Sequence, residues 1–449
     1  LHIVDRYVNG EEFLGLLFCL RTALVMDQRF FNLFNLTEDE AIALLDSPLD
    51  QIDEGNSRYT AASHLVNFPT EQSINALMRA VQQTDPRMEN RIVRRKSIET
   101  LGRLKAAQAL PLIRTCLSDE DCYTVENAVW SIGEIGTTDP NILEDVAQLL
   151  DKPGQTYRVI IHTLMQLNYQ PAVERIRQFV EDADPPTASA AITAICRFTG
   201  ETSQMQKVVA MLQHPNVLAR RLSIQDLINA RYYDAIPKIA RCPVSLVFRL
   251  RGIRTLAQAG IEAGAMTFET VQPYLDQTLY DHPQNLDLVH RYDQLPDLPA
   301  LIRGLYETDF GKCYLATQTI LDAYSEAAPA ALFTTYAEEA YSDYGAHFHV
   351  MKLFGWLKHA PAYDLLIETL EHPQPQFQKS RAASAIALGE LGDQRAIPAL
   401  KACLETKIWD LKYAALMALE KLGDVSSHPV LADDPDLLIQ ARAVFNSNL

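Results

Sequence analysis

Apolar residues recur along this chain at intervals of three and four, in segments separated by short polar turns, and stretches with a period of two are nearly absent. That periodicity predicts helices throughout. The segments also repeat. LGRLKAAQALPLI at 101–113 aligns with LGELGDQRAIPAL at 388–400, sharing Leu, Gly, Leu, Ala and Pro in register, and each copy leads into another helical pattern. From Gly102 to Gly133 is 31 residues, and from Gly389 to Glu420, the corresponding point of ALEKLGD, is again 31. Further copies read LINARYYDAIPKI at 227–239, LAQAGIEAGAM from 256 and FGWLKHAPAYDLL at 354–366. Two helical patterns in each period of about 31 to 34 residues predict an all-α, HEAT-like α-solenoid, a right-handed superhelix of helix pairs with a concave groove.

Each helix pair has an apolar face that only a neighbouring pair can cover, so the copies must stack. Pro111, Pro237 and Pro398 fall where a helix begins, at positions whose missing N–H leaves no helical bond unmade. The Leu-Gly-x-Leu element is expected to end one helix and let the chain approach its neighbour closely. The pattern divides the chain into an extension with capping helices at 1–57, repeats at 58–266, an irregular helical connector at 267–345, repeats at 346–425 and a tail or cap at 426–449. Pro283, Pro296 and Pro299 interrupt the register of the connector. Met26 opens MDQRFFNLFNLTEDEA, which reads as a natural amino terminus, and residues 1–25 read as an added or upstream extension.

Composition narrows the partners. Hydrophobic residues make up 48% and charged residues 22% of the chain, as in a soluble globular protein. With 57 acidic residues against 40 basic ones the net charge is −17, which disfavours nonspecific attraction to nucleic acid or anionic membranes. The run FLGLLFCLRTALVM from Phe13 is interrupted by Arg21 and is too short to span a bilayer. Seven cysteines without a C-x-x-C point to neither a disulfide framework nor a zinc ribbon, and a reducing cytoplasm suits them best.

With the repeat as a ruler, Arg94 aligns with Val125, Tyr157, Arg220, Arg249 and Arg381, and the next position stacks Arg95, Glu126, Arg158 and Arg221. One reading is a salt-bridge ladder that stiffens the solenoid, with Glu126 bridging Arg95 and Arg158; exposed pairs of that kind contribute little stability. The other is a row of guanidiniums lining the groove to hold a dianion. Motifs for nucleotide binding, serine hydrolysis and HExxH zinc sites are missing, and no histidine is followed by Glu, which also removes the His-Glu di-iron arrangement known in a HEAT-type hydroxylase. His347 and His349 lie two apart, so on a helix they point away from each other and make a poor metal pair.

Two stretches exceed a generic solenoid: DEDCYTVENAVWSIGEIG at 119–136 and ARRLSIQDLINARYYDAIPKIARCPVSLVFRLRGIRTLAQAG at 219–260. Together they resemble the E/F-type phycobilin lyases of cyanobacteria, most of all the single-polypeptide phycoerythrin-directed lyases and lyase-isomerases, from Met26 to the carboxyl end. The resemblance implies thioether attachment of a linear tetrapyrrole, phycoerythrobilin or its isomer phycourobilin, to a cysteine of a phycoerythrin subunit. It calls for no cofactor or metal; the bilin is the substrate. On this reading Arg94, Arg95, Arg158, Arg220, Arg221, Arg249 and Arg251 are candidate propionate contacts, with Asn127 and Trp130 beside them. Tyr123 and Glu126 are candidate proton-transfer groups, and Asp343, Tyr344 and His347 form a second set. Cys122 is read as a small buried residue rather than a bilin carrier, because the acceptor supplies the nucleophile. A noncatalytic scaffold or chaperone and a bilin carrier are the alternatives.

Overall fold

The computed structural model describes residues 36–48 and 57–446. The expected extension at 1–25 and start at Met26 lie outside them. Within the described residues are 25 α-helices linked by short 3-10 turns, with no strand. None of these helices is long and apolar enough to cross a membrane. The described residues form two compact units, one up to residue 205 and the other from 206 to 446.

In the first unit the inner helices are Arg58–His64, Met88–Arg103, Cys122–Ile135, Tyr157–Gln166 and Pro185–Thr199, each packed on the next. Shorter outer helices, Glu71–Gln82, Leu110–Thr115, Pro140–Gln148 and Val173–Arg177, alternate with them. The apolar stripes that predicted the helices are the seams between them. Val93, Ile98 and Leu101 on the 88–103 helix and Val125, Val129 and Ile132 on the 122–135 helix packed against it are all buried. Carboxylate N-caps start the inner helices at 122 and 185, where Asp121 and Asp184 accept from the N–H groups of Thr124 and Thr187. Pro111, Pro237 and Pro398 stand in the first turns of their helices, as their spacing predicted.

The Leu-Gly-x-Leu element both ends the helix and brings neighbours together: Leu104 caps the 88–103 helix, and the Gln378–Leu391 helix stops on the last residue of its copy. Gly102 lies in the last turn of the 88–103 helix, and a Cβ there would sit 2.9 Å from Ser131 Cα. Gly355 meets Ala387 in the same way. The chain turns two or three residues later, through a left-handed residue at Lys105, Asn168, Arg231, Lys358, Gly392 and Gly423. In five of these six turns the following N–H donates to the carbonyl five residues back, as from Ala106 to Leu101 and from Tyr169 to Leu164. This Schellman closure satisfies carbonyls that a helix end would otherwise leave unpaired.

The second unit departs from a plain stack. The helix Phe268–Tyr280 packs on Gln378–Leu391, Trp409–Lys421 and Leu437–Asn446. Asp276 binds Arg442 and accepts from the Tyr413 hydroxyl at 3.0 Å, and Lys352 Nζ donates to the carbonyls of Leu279 (2.6 Å) and Tyr280 (3.0 Å). Lys352 stands three residues before Gly355, the place Glu99 and Trp130 hold before Gly102 and Gly133. The inner position used by Lys352 is therefore covered by a helix of its own unit. Between Asp281 and Asp297 the chain runs as extended loop around one 3-10 turn, and a π-helix follows at Tyr336–Ala340. Both fall in the stretch whose prolines and lost register set it apart in the sequence.

Gly102→Ala should destabilise the first unit by about 1–3 kcal/mol, because the methyl group meets backbone rather than a yielding side chain. An unchanged urea midpoint would contradict that packing.

Candidate functional site

The recurring arginines are tied into the framework. Arg94 Nε donates to the Val81 carbonyl at 2.8 Å, and the same reach is made by Arg58 to Leu45 and by Arg381 to Leu370, both at 2.8 Å. Each guanidinium leaves an inner helix and closes the carboxyl end of the preceding outer one, where carbonyls lack helical partners. The other edge of Arg94 pairs with Asp119 and that of Arg58 donates to the Asn90 amide oxygen, while Arg220 pairs with Asp309 and Arg249 with Asp281. Arg220 and Arg249 are wholly buried. Arg249 also donates to the carbonyls of Ala240 and Val244 and to the Tyr314 hydroxyl. Burial works against its charge, yet Asp281 more than restores it and lifts the guanidinium above its usual range.

These contacts correct the propionate-clamp expectation for Arg94, Arg220 and Arg249, which face carbonyls and carboxylates of this chain. Arg158 is buried too, with Nη1 2.6 Å from the Pro186 carbonyl. Arg95 does not turn to Glu126 as the ladder implied. It grips Asp121 with Nε at 2.7 Å and Nη2 at 2.6 Å, a bidentate pair with the carboxylate that caps the neighbouring helix. Arg221 is half-buried, its guanidinium 4.9 Å from the centre of the Phe248 ring, and Arg251 is half-buried on the helix Leu246–Glu262.

The second expected cluster is structural as well. Asp343 caps the helix Tyr344–Trp356, accepting from the N–H groups of Gly345 and Ala346 at 2.9 and 2.7 Å. The Tyr344 ring lies 4.4 Å from Lys379 Nζ, which also sits over Phe310 and Phe348. His347 is 1% exposed and packs on Phe377 at 4.7 Å. Burial, with His372 and Lys379 adding to it, pushes its imidazole down to about 4. His349, buried among Phe310, Tyr314 and Phe348, has neither ring nitrogen hydrogen-bonded and is likewise held neutral by burial beside Lys379 and Lys352. No group of metal-ligating side chains occurs among the described residues.

What remains is the inner face of the first unit. Tyr123, at the start of the 122–135 helix, is 47% exposed and lies over the Arg95 guanidinium at 4.8 Å. Beside it runs a strip across three successive inner helices. Tyr59 covers Lys96 Nζ at 5.1 Å, Lys96 bonds Glu99 at 2.7 Å, Glu99 bonds Arg103 at 3.0 Å, and Arg103 lies 6.0 Å from the centre of the Trp130 ring. A ring stands at each end, and between them the largely buried Lys96 and Arg103 share Glu99. Such a strip offers ring faces to a flat conjugated molecule and two cations, shared with Glu99, to its carboxylates, and the Tyr123 hydroxyl can exchange a proton. Glu126 is buried beneath this face and accepts from Thr156 Oγ1 at 3.2 Å. The expected Asn127 contact is corrected: the residue is buried and its amide donates 2.7 Å back to the Tyr123 carbonyl. Sequence reasoning missed Tyr59, Lys96 and Arg103. The repeat ruler placed Glu99 under Trp130, and Arg103, one turn past Glu99, was the signal available.

Stacked helix pairs define a HEAT-repeat protein, and the comparisons with known proteins agree with that class. A family model described as HEAT repeats matches residues 87–155 and 363–446. The chain is 65% identical over 417 residues, 93% of itself and 99% of the relative, to a protein of Pseudanabaena tenuis (strain PCC 7409) described as uncharacterized phycocyanin operon protein Y. It is 30% identical over 408 residues to the bilin biosynthesis protein CpeY of Synechococcus sp. (strain WH8020), covering 87% of this chain and 97% of that one. Across 46% of this chain and 80% of the relative it is 31% identical to a phycocyanobilin lyase subunit alpha of Synechococcus elongatus. The solved complex of CpcE and CpcF of phycocyanin lyase from Nostoc sp. PCC7120 aligns at 24% identity with a TM-score of 0.47, over 54% of this chain and 94% of that one. The chain belongs to the E/F-type phycobilin lyase family.

Two tests follow from the buried groups. Arg249→Met strands Asp281 in the core and should cost about 3–5 kcal/mol, read as a fall in the urea midpoint. For His347, the unfolded imidazole takes its proton near pH 6.5 while the folded one waits until about pH 4. Stability is thus full above pH 6.5 and falls as the pH drops toward 4, by about 2 kcal/mol between pH 7 and pH 5. His347→Phe should flatten that slope, and an equal slope in the variant would assign it to other groups.

Proposed function

We propose that this chain is a bilin lyase that holds a linear tetrapyrrole on the inner face of the first unit and transfers it to a cysteine of a phycobiliprotein. The observation that carries this reading is the strip in which Tyr59 and Trp130 flank Lys96 and Arg103, joined through Glu99, with Tyr123 beside it. A bilin has the matching chemistry: conjugated rings for the aromatic faces and two propionates for the cations. Family membership supports the reaction class, since the relatives are named for bilin biosynthesis and phycocyanobilin lyase activity.

The specific substrate we assign is phycoerythrobilin, with a phycoerythrin subunit as acceptor and shift of a double bond to phycourobilin as a further capability. This narrower assignment rests on the YTVENAVW and CPVSLVFRLR segments. The acceptor's sulfur adds to the ethylidene carbon of the bilin, and the enzyme supplies a proton to the tetrapyrrole as that bond forms. The exposure of Tyr123 and the guanidinium under its ring support its assignment to this step, and Glu126 lies one turn along the same helix. No cofactor enters the scheme.

Coexpression with bilin-synthesis enzymes and a phycoerythrin subunit should give colour that survives denaturation. Colour that washes out would reduce the protein to a carrier, and none at all would favour a scaffold. Trp130→Ala should weaken bilin binding roughly tenfold. Tyr123→Phe and Glu126→Gln should leave binding intact and slow attachment, Tyr123→Phe by roughly 100-fold; equal rates in all variants would remove this face from the reaction.

A further inference from the structure

Within the strip that runs from Tyr59 to Trp130, the acidic member is Glu99, and both of its oxygens are committed. Oε2 takes the Lys96 ammonium at 2.7 Å, and Oε1 takes Nε and Nη2 of Arg103, both at 3.0 Å. Lys96 precedes Glu99 by three residues and Arg103 follows it by four on the helix Met88–Arg103, so the two cations stand a turn to either side of one carboxylate. All three side chains are sheltered, with 8% of Lys96, 13% of Glu99 and 27% of Arg103 exposed. Water and salt screen such a trio weakly, and each charge depends on the others.

The charges of this trio do not match those of the molecule the strip is read to hold. Lys96, Glu99 and Arg103 together carry one net positive charge, whereas a linear tetrapyrrole with both propionates ionised carries two negative ones. With Glu99 in place, a propionate approaching either cation meets a carboxylate of this chain already bonded there, and the two repel. Neighbouring arginines do not relieve this. Arg95 is held by Asp121 at 2.7 and 2.6 Å, and Arg94 is bonded to the Val81 carbonyl and paired with Asp119.

We propose that Glu99 is a specificity-determining residue that fills a propionate's seat in the pigment-free protein and trades places with that propionate when the tetrapyrrole binds; this rests on the bilin-lyase reading above. One carboxylate replaces another on Lys96 and Arg103, so the cations gain little from the exchange, and the ring faces of Tyr59, Tyr123 and Trp130 supply most of the affinity. The consequence is release. A lyase must give its pigment up to the acceptor, and two sheltered cations with no carboxylate of their own would retain a dianion. Glu99 returning to its seat speeds the pigment's departure, and no covalent bond is made or broken in the exchange.

Glu99→Gln keeps the length of the side chain and removes its charge. Phycoerythrobilin and its dimethyl ester, which has the same rings and no ionised propionate, are titrated into the full chain, with pigment absorbance reporting binding and dissociation and a urea midpoint reporting folding. The exchange predicts that Glu99→Gln binds the free acid about tenfold more tightly and releases it about tenfold more slowly, while its affinity for the ester stays within about twofold of wild type. Free-acid affinity that is unchanged or weaker in the folded variant would make Glu99 a brace for the two cations and overturn the proposal, as would acid and ester tightened alike. If the variant fails to fold, the wild-type chain decides: a filled seat predicts a preference for acid over ester below about tenfold, and a larger preference would show the cations already open to both propionates and overturn the exchange. A wild-type chain that binds neither form would overturn the bilin reading itself, an outcome distinct from the others.

Discussion

The fold depends on one interaction repeated along the chain: a guanidinium from an inner helix reaching the carbonyls that end the outer helix before it. Arg58, Arg94 and Arg381 make the same 2.8 Å bond to Leu45, Val81 and Leu370. Without it, the last turn of each short outer helix would hold carbonyls away from water with no donor. The other guanidinium edge takes a side-chain oxygen, Asp119 for Arg94 and the Asn90 amide for Arg58, and the buried Arg249 and Arg220 take Asp281 and Asp309. Arginine suits the task because its planar fork serves a carbonyl and a carboxylate at once. Hydrophobic seams make the stack; these clamps fix which turn of one helix meets which turn of the next.

That constraint separates framework from working surface. Arginines at the clamp position are tied to the chain's own carbonyls and carboxylates. The proposed bilin surface of the first unit uses other side chains of the inner helices, Tyr59, Lys96, Arg103, Tyr123 and Trp130, where cations stand beside ring faces. In the second unit the equivalent inner position is Lys352, whose amine caps the 268–280 helix and which burial pushes down to about 8. One repeat register thus yields a surface in one unit and a core in the other.

How much of this the sequence disclosed depends on the range of the interaction. Helices and repeats were legible because apolar period and a 31-residue spacing are local properties, visible in LGRLKAAQALPLI itself. The first-turn prolines were legible for the same reason. The left-handed turns at Lys105, Asn168, Arg231 and Lys358 were hidden, since none is glycine. The candidate site was only partly legible. Recurrence of Arg94, Arg220 and Arg249 marked an important position, but a repeated residue signals a repeated role, and in a repeat architecture the repeated role is holding the repeats together. The partners that reveal it, such as Asp309 for Arg220, lie up to 89 residues away. Tyr123 drew attention because it opens a helix that breaks the pattern.

The central claim is that a bilin lies on the inner face of the first unit while the clamp arginines stay with their carbonyls. A structure of the full chain with bound phycoerythrobilin tests it most directly. The account predicts pigment against Tyr123 and Trp130, a propionate within hydrogen-bond distance of Lys96 or Arg103, and Arg94 still bonded to Val81 and Asp119. Pigment bound elsewhere, or a propionate taking Arg94 away from Val81 and Asp119, would contradict it.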